Sequence, residues 1–89
     1  MFAKLFERDG EQVLVLKAVG EDGAPQLKVI VEIGELQIES AFEFKRVRRG
    51  PGREERRDRV FADMTEDRAF ATRAEHEKQF FKFLAKGSN

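Results

Sequence analysis

The residues best placed to do chemistry are arginines. Residues 45–59 carry Lys45, Arg46, Arg48, Arg49, Arg53, Arg56, Arg57 and Arg59 against Glu54, Glu55 and Asp58, a net of +5 (eight minus three). The whole chain balances at 17 basic and 17 acidic residues, so the remainder is −5 (9 minus 14). Arg46, Arg48, Arg49 and Arg53 surround Gly50-Pro51-Gly52, a sequence that breaks regular structure. Guanidinium groups on such a loop can hold carboxylates or phosphates through paired hydrogen bonds. The candidate partner-binding residues are therefore Arg46, Arg48, Arg49, Arg53, Arg56 and Arg57. The plain alternative is a solvated linker and helix start, with Glu54, Glu55 and Asp58 neutralising Arg56, Arg57 and Arg59.

The other reactive side chains form no motif. The chain has no cysteine, which removes thiol nucleophiles, disulfides, iron–sulfur clusters and cysteine-ligated zinc. His76 is the lone histidine, and Ser40, Thr65, Thr72 and Ser88 are scattered without a nucleophile signature. Its expected place is the solvent edge of a helix. Glu32, Glu35, Glu39 and Glu43 recur along two strand-like segments, where exposed carboxylates opposite Lys or Arg are the ordinary explanation. Neither a phosphate-binding glycine loop nor a calcium loop occurs. These observations point to a non-enzymatic protein with no cofactor and no metal.

The elements that must position the arginines follow from periodicity. Residues 2–7 read as a short strand, and Arg8-Asp9-Gly10-Glu11 as a turn. Residues 12–18 form a strand whose Val13-Leu14-Val15-Leu16 is apolar on both faces, which suits a central strand covered on each side or a partner surface. After a loop at 20–25, Leu27, Val29, Val31 and Ile33 alternate with Gln26, Lys28 and Glu32, with Ile30 the exception. After Gly34-Glu35, Leu36, Ile38, Phe42 and Phe44 alternate with Gln37, Glu39, Glu43 and Lys45. Both segments predict strands with one buried face.

Residues 54–63 admit two assignments. Glu and Arg favour a helix with Arg57, Val60, Phe61 and Met64 on one face; alternatively Gly50-Pro51-Gly52 is a hairpin turn leading to a fifth strand over 55–61. Asp63-Met64-Thr65-Glu66 has capping-box spacing and Glu66-Asp67 suit a first helical turn, so 66–85 is predicted helical. Its apolar arc includes Ala69, Phe70, Ala74, Phe80, Phe81, Phe83 and Leu84, with Arg73 and Glu77 spaced to pair inside it. Gly87 is a natural stop, and Ser88-Asn89 are expected to fray.

The expected architecture is α+β: a four-stranded antiparallel meander followed by a C-terminal helix packed on one sheet face. It forms one domain over 1–89, with sheet at 2–45, basic loop at 46–53 and helical part at 54–86. Phe42, Phe70 and Phe81 are expected in the core. Apolar runs are too short for a signal peptide or a membrane span, so a cytoplasmic protein without membrane contact is expected.

Phe2-x-x-Leu5-Phe6-x-x-x-Gly10, Gln12-Val13-Leu14-Val15, Glu21-Asp22-Gly23-x-Pro25 and Phe61-x-x-Met64-Thr65-Glu66 resemble small orphan proteins encoded by bacteriophages and prophages. The resemblance implies a cytoplasmic accessory protein that binds a host or phage macromolecule. The residues themselves favour a protein partner. All nine aromatics are Phe, which leaves no Tyr or Trp for base stacking, although the arginines could still meet nucleic acid phosphates. A homodimer joined through exposed Phe or an edge strand is the third expectation.

Overall fold

A computed structural model describes residues 2–87. Ser88 and Asn89, where fraying is expected, lie outside the described residues. Four strands, β1 (Ala3–Arg8), β2 (Glu11–Val19), β3 (Pro25–Ile33) and β4 (Leu36–Glu43), are followed by helices α1 (Arg53–Ala62) and α2 (Glu66–Gly87). The strands form one antiparallel sheet in the order β1-β2-β3-β4, which is the expected α+β meander. Short turns enforce it. Asp9 and Gly10 both have positive φ (53° and 79°), the mirror-image turn whose twist matches the flanking strands.

The register sorts the side chains into two faces. One face carries the rows Phe6–Val13–Val31–Ile38, Lys4–Val15–Val29–Ser40 and Lys17–Leu27–Phe42. Val13, Val15, Leu27, Val29 and Val31 on this face are essentially solvent-free. The other face carries Leu5–Leu14–Ile30–Glu39 and has no helix over it. Leu14, Leu16 and Ile30 there stay half-buried, so the apolar run in β2 marks a central strand covered on one face only.

Residues 53–62 are helical, so the fifth-strand assignment falls. The chain enters α1 through Gly52, and Glu54 and Glu55 occupy its first turn, where carboxylates favour the exposed N–H groups. The helix buries Arg57 and Phe61 against the sheet. Thr65, not Asp63, starts α2: its Oγ1 accepts the Arg68 N–H at 3.2 Å. Asp63 instead closes α1, donating its backbone N–H to the Arg59 carbonyl at 2.9 Å.

The path of α2 is transverse to the strands. Glu66 and Asp67 pair with Arg8 on β1; Arg73 reaches Glu11 on β2 and the Glu32 carbonyl on β3; His76 meets Ser40 on β4. Asp67 to His76 is a rise of about 14 Å at about 1.5 Å per residue, which matches three strand spacings of about 4.8 Å. Beyond His76 the helix has no further strand to cover. This corrects two core assignments. Phe81 is 56% exposed because it lies past β4, and Phe42 is 45% exposed because β4 is an edge strand. Phe70 is half-buried against the core, which centres on Phe61 and Ala69.

Replacing Phe61 with Ala should cost about 3–5 kcal/mol in denaturant unfolding, because it empties the centre of the core. Phe81→Ala should stay within about 0.5 kcal/mol, as expected for an exposed site in the monomer.

Candidate partner-binding site

The arginine segment divides into a structural part and an exposed part. Arg57 is buried beneath α1. Its Nη1 donates to the Ala18 carbonyl at the end of β2 (2.8 Å), while Nε donates to Asp58 (3.0 Å) and Nη2 lies 3.8 Å from Glu54. Asp58 also lies 3.7 Å from the Lys17 ammonium. Arg59 pairs with Glu55 at 3.5 Å, one turn away. Arg56 donates to the Lys45 carbonyl and ties the loop to the helix. All three acids of the segment thus engage Arg57 or Arg59.

Arg46, Arg48, Arg49 and Arg53 make no ion pair among the described residues. Phe44 packs against the core just before the loop, and α1 fixes the other end. Between these anchors, Gly50 takes φ 102°, a left-handed conformation that a side chain would resist. The loop curls toward the β2–β3 turn. Together they line a shallow cleft of about 490 Å³, with Arg46 and Arg53 at its wall and Gly23, Pro25, Val47 and Pro51 contributing its surface. Val47 is 53% exposed amid the guanidinium groups. The structure therefore gathers Arg46 and Arg53 at the cleft, leaves Arg48 and Arg49 on the same exposed loop, and gives Arg56 and Arg57 hydrogen-bond partners within the fold. Those two have structural partners that the sequence did not reveal, since Ala18 and Lys45 offer backbone carbonyls rather than a recognisable side chain.

One pair escaped the sequence. Ser40 Oγ lies 3.1 Å from His76 Nε2, although 36 residues separate them. The ring stacks on Phe42 at 6.2 Å between centroids. Burial holds the imidazole pKa below its ordinary value, partly opposed by the charge of Glu75. His76 Nδ1 is buried without a hydrogen-bond partner, so no carboxylate orients the ring as in a nucleophilic triad. The pair instead joins α2 to β4. Among the described residues, no group of three His, Asp or Glu side chains is placed to hold a metal ion, and no helix is long and apolar enough to cross a membrane.

No protein-family model, no curated protein and no solved structure matches the chain.

Two outcomes separate structural from exposed cations. Arg57→Ala should lower unfolding free energy by about 1–3 kcal/mol, since it strands the Ala18 carbonyl, whereas Arg48→Ala should change it by under about 0.5 kcal/mol. His76 binds its proton less readily folded than unfolded. Its contribution to stability is therefore complete above pH 6.5, its ordinary value, and is lost as pH falls through the lower folded-state value. Midpoints of urea unfolding between pH 7 and pH 5 should fall less in His76→Gln than in the unchanged protein.

Proposed function

We propose that this chain is a small non-enzymatic binding protein of the cytoplasm that engages a protein partner through the arginine loop. The supporting observation is the set of four guanidinium groups, Arg46, Arg48, Arg49 and Arg53, without intramolecular carboxylates, two of them at a cleft and all close in sequence to an exposed valine. Arginine rims around an apolar centre are characteristic of protein interfaces. A segment presenting carboxylates beside a small apolar side chain is the complementary surface: bidentate pairing would orient it and Val47 would contact its apolar part. This fits an accessory protein of the kind that phages and prophages encode, acting by occupancy rather than by chemistry.

Nucleic acid is the alternative ligand, since the same guanidinium groups suit phosphates. Base stacking would then have to come from Phe alone, and the whole chain carries no net positive charge.

Charge reversal at Arg46, Arg48 and Arg49 should abolish a partner retained from lysate by the unchanged protein and leave the circular dichroism spectrum as it was. Binding that persists in the triple variant would remove the loop as the site. An electrophoretic shift of DNA or RNA that weakens steeply between low and moderate salt would move the assignment to nucleic acid.

A further inference from the structure

The far edge of the sheet is unfinished in a manner that matches a second copy of this chain. Among the described residues, no strand pairs with the outer edge of β4. The two-residue turn Gly34-Glu35 directs the N–H and C=O groups of Leu36, Ile38, Ser40 and Phe42 toward β3. Those of Gln37, Glu39, Ala41 and Glu43 therefore point outward, as a ready template for another strand.

Three observations favour a copy of β4 as that strand. First, α2 passes over β4 at His76 and continues for eleven residues to Gly87. At about 1.5 Å per residue this overhang spans about 16 Å, enough to reach across the β4 of a second copy. It carries Phe81 and Phe83, 56% and 71% exposed, over the space where those strands would lie. Second, Phe42 on the helix-covered face of β4 is 45% exposed because no strand lies beyond it. Third, the sequence of β4 is complementary to itself about Ser40. A twofold axis there sets Gln37 against the partner's Glu43, Ile38 against the partner's Phe42, Glu39 against the partner's Ala41, and Ser40 against the partner's Ser40. No like charges face each other. Moving the axis by one residue to 39 sets Glu39 against the partner's Glu39; moving it to 41 sets Glu39 against the partner's Glu43. Facing like charges disfavour both.

We infer that the chain forms a homodimer through antiparallel pairing of β4 about Ser40, giving one eight-stranded sheet with the two α2 ends crossing over the seam. The interface is isologous, as a twofold requires. Each overhanging Phe-bearing segment then covers the other copy's sheet beside Phe42. The arginine loops begin beyond the paired residues 37–43 in both copies.

The chain lacks cysteine, so a single introduced thiol is an unambiguous reporter. Ser40 faces its own copy in a non-hydrogen-bonded pair, where Cα atoms lie about 4.5 Å apart, within disulfide reach. Ser40→Cys should cross-link to a dimer under mild oxidation, while Gln37→Cys, placed against the partner's Glu43, should not. Sedimentation should give twice the 10.3 kDa chain mass. Ala41→Pro, which removes an outward N–H without touching the β3 ladder, and Phe83→Glu, at an exposed site, should each return the mass to one chain with an unchanged circular dichroism spectrum. A single-chain mass at millimolar concentration overturns the inference. So does a dimer that survives both variants, or equal cross-linking at 37 and 40. Should Ala41→Pro fail to fold, Phe83→Glu decides the mass comparison.

Discussion

Phe61 sits at the point on which the packing converges. It is 4% exposed on the sheet, and the ammonium groups of Lys4 and Lys17 lie 4.9 and 5.3 Å from its ring centroid. Both lysines belong to the face that the helices cover, between valines and leucines. Their stems lie along apolar surface while their heads find partners at the helix. Lys4 donates to the carbonyls of Phe61 (2.7 Å) and Ala62 (3.0 Å), a cation at the negative end of α1. Lys17 lies near Asp58 on the same helix. One aromatic ring and two lysines therefore tie α1, which packs on β2 and β3, to β1 and β2.

The same device recurs because the helices bring few apolar side chains to the sheet. Phe61 and Ala69 are their fully buried contributions, and long cations bridge much of what remains. Arg57 satisfies the Ala18 carbonyl, and Arg73 satisfies the Glu32 carbonyl at 3.0 Å while pairing with Glu11 and Glu77. Arg8 holds the first turn of α2 through Glu66 and lies over the Phe70 ring. Each buried cation has an oxygen partner, which offsets much of the cost of taking it from water. A high share of charged residues is thus compatible with packing of the helices on the sheet.

Two regions are left over once the core is assembled. The loop between β4 and α1 keeps Arg46, Arg48 and Arg49 in solvent, with Arg53 half-buried at the start of α1, because the acids nearby are already engaged by Arg57 and Arg59. The end of α2 keeps Phe81 and Phe83 in solvent, because a transverse helix of 22 residues outruns a sheet four strands wide. The first is polar and carries exposed guanidinium groups. The second is apolar and continuous with an open strand edge.

Alternating residues at 26–33 and 36–44, the Asp-Gly turn and the strong helical arc after 66 were enough to determine the four strands, their order and the final helix. Those features are local: a period of two or 3.6 is written in neighbouring residues. The exposed arginine loop was legible for the same reason, as a Gly-Pro-Gly break within a run of like charge. Assignments that depend on distant contacts were decided only in the tertiary structure. Arg56 and Arg57 are tied into the fold because backbone carbonyls 11 and 39 residues away accept their hydrogen bonds. His76 became the partner of Ser40 because α2 crosses β4 there. Phe42 and Phe81 left the core because sheet width, not periodicity, decides where coverage ends. A helical wheel shows which side of α2 is apolar, but it holds no information on how far the sheet beneath extends.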